Sequence, residues 1–367
     1  MADPPPPHPL PLPPTTTPAA LAPLITASSI RTLPAPTVRA LSSSLVLTNP
    51  ADAVKELVDN ALDAGATSVA VDVAANTLDH LTVRDNGRSV PPGADRALLG
   101  RRHCTSKLRN SEELKDVGGR SLGFRGEALA SLAEVVRGLW VTVSVWRERK
   151  AGAPVGTVVR VEGFFERWPR ELRRVRNVLQ GYALARPGVR LQLRVMDRKG
   201  YDWVYAPKPS VGVGGGVERV ADVVWKVVGK DAAAQCAYSV RVVNGYTVEA
   251  FLPRSDAEGK KIAGHGYFLS IDARPVSAAR GTMKLIAKTF REKLKKSNPA
   301  LEDVKDPFIR MGIGCPPGSY DPNVEPSKDD LLFDDSGAVV TALLNSLRIQ
   351  LKSVTRALRW KMMTMMR

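Results

Sequence analysis

The chain has 367 residues, enough for two domains, and its 44% hydrophobic and 25% charged residues are typical of soluble globular proteins. No apolar run is long enough to span a bilayer, the N-terminus lacks a signal-peptide pattern, and three scattered cysteines and four dispersed histidines argue against a disulfide framework or a metal cluster. The formal net charge of +16 exceeds what solubility requires and favours a polyanionic partner such as nucleic acid.

The N-terminal stretch is rich in proline and of low complexity, which predicts a disordered tail over residues 1–27. A role as a proline-motif ligand is the alternative to a solvated tail. A globular composition begins at Ser28, and a short apolar-periodic piece predicts a small helix over residues 37–41.

A longer helix is predicted over residues 49–65, NPADAVKELVDNALDAG, because an asparagine and a proline suit its start and a glycine suits its end. Its apolar residues gather on one face. Glu56, Asn60 and Asp63 lie at i, i+4 and i+7, so they form one row on the opposite face. Such a row is either a solvated stripe or part of a functional site, and helix periodicity alone favours the stripe.

The following elements alternate between strands and helices. Period-two patterns predict strands over residues 67–75, 80–87, 139–146, 157–165 and 189–196, and helical patterns cover residues 127–136 and 170–184. Between them, residues 99–123 lack periodicity and are rich in Gly, Ser, Arg and Lys, which predicts a long mobile loop.

A glycine-rich stretch, residues 212–216, predicts the boundary to a second α+β domain. Its predicted elements are helices over residues 217–228 and 279–296 and strands over residues 237–243, 246–252, 266–271 and 307–315. The predicted domains cover residues 28–210 and 217–345, and residues 346–367 end a basic amphipathic helix with no third domain. The basic helices at 170–184 and 284–296 are either solvated faces or contacts to DNA phosphates.

Several short motifs of the first domain contain residues of the types that bind ligands or catalyse reactions. Asp85-Asn86-Gly87 ends a strand, HCTSK spans residues 103–107, and GGRSLGFRGEAL spans residues 118–129 and enters a helix through glycines. Glycines before a helix N-terminus present free N–H groups to phosphate. The GxxxxGK[ST] pattern is absent, which excludes a P-loop.

These stretches resemble the GHKL ATPases, a class that includes DNA gyrase B, histidine kinases and the ninety-kilodalton heat-shock chaperones. KELVDNALDAGA, RDNG, TSK and GFRGEALASLAEV together are similar, more narrowly, to the MutL family of mismatch repair proteins, over about residues 28–345. The resemblance implies a GHKL (Bergerat) α/β sandwich, with helices on one face of a mixed sheet. A ribosomal-protein-S5-like α+β transducer domain would follow it.

The resemblance also implies roles for individual residues. Glu56 would be the general base that activates water for attack on the γ-phosphate of ATP, and Asn60 would hold Mg²⁺ through its amide oxygen. Asp85 would accept a hydrogen bond from the adenine amino group. Gly87 would allow close approach of the base, and Thr157 would support the adenine contact.

Other implied roles concern the phosphates. A motif like NVxPxK at residues 323–328 places Lys328 so that it would reach from the second domain to the γ-phosphate. Asp63 is either a structural residue at the helix end or a ligand contact. The remaining predicted ATP-binding residues belong to the lid, defined as residues 99–123, and the glycine-rich entry that follows it: Ser106, Lys107, Gly123, Phe124, Arg125, Gly126, Glu127, Ala128 and Leu129.

For the whole protein, the resemblance implies that ATP orders the lid and joins two chains at their N-termini. The partner would be another MutL homologue in a heterodimer. The pair would bind double-stranded DNA without reading its sequence, work with MutS-type mismatch-recognition proteins in the nucleus, and use no membrane. Because the family's C-terminal nuclease region is missing here, no endonuclease activity is expected of this chain.

Two departures from the family pattern are evident. DNGxG reads DNGRS here, so Ser89 adds a side chain where a glycine would lie near the nucleotide, and weaker binding or slower turnover could result. A serine-rich run at residues 41–46 replaces AAGEV and is similar to the accessory post-meiotic-segregation branch. The alternative function is therefore a DNA- or partner-binding module with a weak ATPase. Another GHKL enzyme such as a kinase is a weaker alternative, because no phosphoacceptor-histidine helix is present.

Overall fold

The structure is a computed structural model that describes residues 31–32, 47, 49–110, 112–114, 117–144, 155–164, 171–209, 215–297, 301–322, 331–337 and 339–341. The predictions for residues 1–27, the small helix at 37–41, Lys328 and the basic helix at 346–367 lie outside these residues. Within them, no helix combines the length and apolarity needed to cross a bilayer.

The helices are α1 (Pro50–Asp63), α2 (Ala94–Ala97), α3 (Ala128–Val135), α4 (Leu172–Ala185), α5 (Gly215–Val228), α6 (Lys230–Ala234), α7 (Gly259–Ile262) and α8 (Gly281–Ser297). The strands are β1 (Arg31–Thr32), β2 (Ser68–Ala74), β3 (His80–Asp85), β4 (Cys104–Thr105), β5 (Val136–Ser144), β6 (Gly156–Phe164), β7 (Arg190–Met196), β8 (Trp203–Tyr205), β9 (Cys236–Val243), β10 (Tyr246–Pro253), β11 (Tyr267–Ile271), β12 (Arg274–Val276), β13 (Ile309–Gly314), β14 (Tyr320–Asp321) and β15 (Leu332–Phe333).

The first domain is built on a six-stranded mixed sheet in the order β5-β6-β3-β2-β7-β8, in which β2 and β7 run parallel. Alternate residues of β2, Val69, Val71 and Val73, are buried in the core that α1, α4 and α5 complete. Between them Asp72 points to the opposite face, where Arg84 and Arg194 pair with it at 2.6 and 3.0 Å. The sheet therefore has one face covered by helices and one polar face, as predicted.

The second domain is a five-stranded sheet in the order β12-β11-β13-β10-β9, with β11 and β13 parallel. Helix α8 packs on it through Met283, Ile286, Phe290 and Leu294, whose spacing of three and four residues forms one buried stripe. This is the α+β arrangement that the sequence predicts for this half of the chain.

The two sheets share a core and direct hydrogen bonds. Phe251 and Phe308 of the second domain are buried in the apolar cluster of the first. Arg310 donates through Nε to Leu184 O at 3.2 Å, and Arg186 donates through Nε to Ala273 O at 3.2 Å. The C-terminal end of α4 is thereby held against the second sheet.

Differences from the predicted elements are confined to short pieces. The loop predicted at 99–123 contains β4 and a single 3₁₀ turn at Glu112–Leu114, and β5 begins at Val136, directly after α3. Strands of two or three residues, such as β12 and β14, are too short to show periodicity in sequence. They form because tertiary neighbours supply their partners.

Candidate active site

A cavity of about 620 Å³ lies between α1, the end of β3, the start of β6 and the lid. It is lined by these predicted site residues: Glu56, Asn60, Asp63, Asp85, Ser106, Lys107, Gly123, Phe124, Arg125, Gly126, Glu127, Ala128, Leu129 and Thr157. Side chains more than 70 residues apart in sequence thus face one space.

Asp85 occupies one end of this cavity at the last residue of β3. Its Oδ1 accepts hydrogen bonds from Gly87 N at 2.8 Å and from Thr157 N at 3.4 Å. Burial raises the pKa of Asp85 above its usual value, although these backbone hydrogen bonds oppose the shift. Asn86 anchors the turn, since its Oδ1 accepts from Thr67 N and Ser68 N at the start of β2.

Two glycines make this turn possible. A Cβ on Gly156, whose φ is +150°, would lie 1.9 Å from Asp85 O, so a side chain there cannot be accommodated without movement. Gly87 does not line the cavity, and a Cβ there would lie 2.9 Å from Ala64 Cβ. In this structure Gly87 therefore permits the approach of the α1 end, whereas the resemblance had implied close approach of a base.

Helix α1 carries the row that the sequence predicts. Asn49 caps the helix, because its Oδ1 accepts from Asp52 N at 3.1 Å. Glu56 is only 5% exposed and borders the cavity, so water is largely excluded around its carboxylate. One turn on, Asn60 Oδ1 accepts from Lys107 Nζ at 3.0 Å.

The Asn60 oxygen is a suitable position for a cation. Hard Mg²⁺ prefers oxygen ligands and commonly takes only one or two from the protein, with phosphates and water completing the shell. Asn60 Oδ1 faces the cavity, and the ammonium of Lys107 already lies against it as a positive charge. The residues present therefore fit the implied metal, with Asn60 as its protein ligand.

Asp63 organises the lid. Its carboxylate accepts from Lys107 Nζ at 2.7 Å, from Leu122 N at 2.8 Å and from Gly123 N at 2.9 Å. The Ser121 hydroxyl donates to it at 2.7 Å. Burial would raise the pKa of Asp63, but Lys107 and the two backbone N–H groups hold it below its usual value. These contacts favour the structural interpretation of Asp63.

The glycine-rich entry to α3 is closely packed. Gly126 has a φ of +68°, and a Cβ there would lie 2.6 Å from Cys104 O. The buried Glu127 lies just before α3, where a negative charge is favourable, and its Oε1 is 3.2 Å from His103 Nδ1. Phe124 and Arg125 are 2% and 3% exposed, so their side chains are packed inside the protein beside the cavity.

The Ser89 side chain contacts the backbone of its own domain. Its hydroxyl lies 2.6 Å from Ser144 O and 2.7 Å from Gly156 O, so its single proton is shared between the carbonyls at the end of β5 and the start of β6. Serine in place of the family's glycine thus adds hydrogen bonding to two strands beside the cavity.

We expect Ser89→Ala to lower the free energy of unfolding by about 1–2 kcal/mol, because two partly buried carbonyls lose their donor. We expect Ser89→Gly to leave ATP affinity within threefold of the original, since the hydroxyl is turned to the strands. Urea unfolding and calorimetric titration measure both quantities. A tenfold gain in affinity for the glycine variant would instead mean that Ser89 obstructs the nucleotide.

Two residues near the cavity had no signal in the sequence. Ser121 links Asp63 to the lid, and Arg274 of β12 donates through Nη2 to Ser121 O at 2.8 Å from the second domain. Only the glycines around Ser121 could have directed attention to this loop. Lys328 lies outside the described residues, so its predicted role stays a prediction.

Comparison with known proteins first defines the class. Residues 48–150 match the family described as histidine kinase-, DNA gyrase B- and HSP90-like ATPases, and residues 224–352 match the C-terminal domain of DNA mismatch repair proteins. A solved structure, the N-terminal domain of a DNA repair protein, has the same fold with a TM-score of 0.62 at 20% identity, covering 86% of this chain and 98% of that one. The fold is therefore that of a GHKL ATPase with a second α+β domain, as predicted.

Curated relatives define the family within this class. The chain is 32% identical over 318 residues to the DNA mismatch repair protein MutL of Rhizobium etli, covering 80% of this chain and 48% of the relative. It is 30% identical over 330 residues to MutL of Rhizobium meliloti, with the same coverage. The chain belongs to the MutL family of DNA mismatch repair proteins, and it spans about half the length of the curated relatives it matches.

Proposed function

We propose that this chain binds ATP with Mg²⁺ in the α1 cavity and hydrolyses it. One observation carries the proposal: a single cavity brings together the buried Glu56, the Asn60 oxygen, the Asp85 carboxylate and the glycine-rich entry to α3. The GHKL fold supports the same conclusion.

The end of the cavity at Asp85 would recognise the adenine base. Asp85 is partly buried, and a carboxylate there accepts the exocyclic amino group of adenine, a donor that guanine lacks at that position. Thr157 lies beside it, because its backbone N–H contacts Asp85 Oδ1, and its hydroxyl would support the adenine contact. This end would therefore set the preference for adenine.

The end of the cavity at Glu56 and Asn60 would neutralise phosphate charge and accept a proton. Glu56 would accept a proton from the attacking water as its oxygen bonds to the γ-phosphorus. Asn60 would hold Mg²⁺, which neutralises phosphate charge. The N-terminus of α3 and Lys107 would face the phosphates, with Lys107 exchanging its contact with Asp63 for one to phosphate.

Lys328 would complete this end from the second domain. Strand β14 ends at Asp321, seven residues before Lys328 in sequence, and a Cβ on Gly118 of the lid would lie 3.0 Å from the Tyr320 ring. A lysine that contacts the γ-phosphate loses its partner on hydrolysis, and the second domain thereby senses the nucleotide state.

We expect Asp85→Ala to weaken ATP binding by about 10- to 100-fold, because a hydrogen bond to a buried carboxylate is lost. Selectivity for ATP over GTP should fall with it. Calorimetric titration with both nucleotides measures this, and Asp79→Ala, an exposed aspartate in the β2–β3 turn outside the cavity, is the matched control. A wild-type chain that binds no ATP at millimolar concentration would refute the proposal.

The proposal extends to the assembly that the family suggests. ATP binding would pair this chain with another MutL homologue, the pair would hold double-stranded DNA without reading its sequence, and MutS-type proteins would recruit it, in the nucleus. Absence of endonuclease activity in this chain is part of the same proposal. The charge of +16 and the exposed row Lys284, Lys288, Arg291 and Lys295 on α8 support the DNA contact.

We expect the double variant Lys284→Glu, Lys288→Glu to weaken binding to duplex DNA and to reduce the salt slope of binding by about one per lysine removed from a phosphate. Lys226→Glu, Lys230→Glu, exposed residues of α5 and α6, is the matched charge reversal away from this row. Fluorescence anisotropy at several salt concentrations compares the two. An equal loss of DNA affinity in the two double variants would mean that binding depends on net charge rather than on α8.

The alternative, a DNA- or partner-binding module with a weak ATPase, has one supporting feature, the side chain at Ser89. Its contacts with Ser144 O and Gly156 O direct it to the strands, and Glu56 retains its place at the cavity. The ATPase is therefore the function that the geometry supports best.

A further inference from the structure

We propose that Arg274 of the second domain is a positioning residue that holds the lid in its ordered conformation over the nucleotide site. Its catalytic consequence rests on the ATPase function proposed above, whereas its effect on the lid does not depend on nucleotide. The proposal rests on two contacts between the second domain and residues 118–121 and on the charge buried beside them.

The first contact is a continuous chain of hydrogen bonds. Arg274 is 2% exposed, and its Nη2 donates to Ser121 O at 2.8 Å. The Ser121 hydroxyl donates to Asp63 at 2.7 Å, and Asp63 lies on the same helix row as Glu56 and Asn60. Hydrogen bonds therefore connect β12, the lid and α1 without a gap.

The second contact is the surface on which the lid glycines lie. A Cβ on Gly119, whose φ is +76°, would lie 3.2 Å from Asp272 Oδ2, and one on Gly118 would lie 3.0 Å from the Tyr320 ring. Asp272 is itself fixed, because it accepts from Tyr320 OH at 2.9 Å and from Cys315 N at 2.8 Å. The glycine pair thus lets the lid backbone approach a rigid part of the second domain.

The third observation is electrostatic. Arg274 Nη1 is buried and has no hydrogen-bond partner within the described part of the chain, an arrangement that is costly for a cation. Burial also lowers the pKa of the neighbouring Arg125, while Glu127 and Glu56 oppose that shift. The hydrogen bond from Nη2 to Ser121 O is therefore a main polar contact that this buried guanidinium makes with the lid.

These contacts would couple nucleotide binding under the lid to the position of the second domain. If the second domain stabilises the ordered lid, a nucleotide that requires the ordered lid must in turn stabilise the contact with the second domain. Tyr320 lies in this contact and directly precedes the segment that contains Lys328. The lid and the proposed γ-phosphate lysine would then respond to nucleotide as one unit.

Limited trypsin digestion of the full chain without nucleotide tests the proposal. Arg120 is exposed and the bond that follows it leads to Ser121, the residue whose carbonyl Arg274 holds. We expect Arg274→Gln to raise cleavage after Arg120 about tenfold or more, as loss of a charged hydrogen bond implies. Arg274→Lys, which can still donate to one carbonyl, should restore most of the protection.

Arg186→Gln is the matched control, because Arg186 donates to Ala273 O, one residue away, across the same interface without touching the lid. Equal cleavage after Arg120 in Arg274→Gln and Arg186→Gln would overturn the proposal. If Arg274→Gln loses its cooperative melting transition, Arg274→Lys decides: cleavage after Arg120 above that in Arg186→Gln supports the proposal, and cleavage no greater than in Arg186→Gln overturns it.

A second readout separates this proposal from the ATPase. We expect ATP to protect Arg120 in the wild type and KM for ATP to rise about tenfold in Arg274→Gln with a smaller change in kcat. A wild type that binds no ATP would refute the ATPase, while the nucleotide-free cleavage would still decide the role of Arg274. A fall in kcat with unchanged KM would overturn the positioning role.

Discussion

Glu56→Gln is expected to reduce single-turnover ATP hydrolysis by about 10²- to 10⁴-fold, the range for loss of a general base, and to leave ATP binding in place. Glutamine has nearly the same shape as glutamate, so the 5% exposed side chain keeps its packing. It cannot accept the proton of the attacking water. The experiment measures phosphate release with Mg²⁺ and ATP affinity in the same samples.

The control for this variant is Glu134→Gln, which changes an exposed glutamate on α3 that pairs with Arg102 outside the cavity. Hydrolysis in Glu56→Gln within tenfold of the wild type would remove Glu56 as the base. Absent hydrolysis in the wild type together with retained DNA binding would favour the alternative module.

Gly156→Ala is expected to destabilise the first domain by about 3 kcal/mol or more, since overpacking and a disfavoured backbone conformation add their costs. The new Cβ would lie 1.9 Å from Asp85 O, so β6 must move away from the turn that holds Asp85. Thr157 moves with it, and ATP affinity should fall at least tenfold as a result. Urea unfolding and nucleotide titration measure the two effects.

Gly200→Ala is a matched control for the cost of placing a side chain at a positive φ. Gly200 also has a positive φ, +83°, but a Cβ there meets nothing within 4 Å. Its destabilisation should stay near 1–2 kcal/mol, the cost of the left-handed conformation alone. Equal losses in the two variants would show that the approach of Gly156 to Asp85 contributes nothing.

The local patterns of the chain were sufficient for its larger elements. Asn49 and Pro50 indicated the start of α1, and the alternation of valines indicated β2, which the sheet buries as Val69, Val71 and Val73. Strands of two or three residues, such as β12 and β14, were missed because they are too short to show periodicity in the sequence. Gly87 was predicted to allow close approach of a base, which stays a prediction; its close approach to Ala64 was not predicted.

The sequence by itself determined the helix α1, the row of Glu56, Asn60 and Asp63 on one of its faces, and the family resemblance that assigns them roles. Helical spacing is a local property, because backbone hydrogen bonds four residues apart set which side chains share a face. Only the tertiary structure decided that Gly156 closes on Asp85, and that Arg274 reaches Ser121 from 153 residues away. The first contact depends on the pairing of β3 with β6 and the second on how the two sheets pack against each other, and no short-range pattern encodes either.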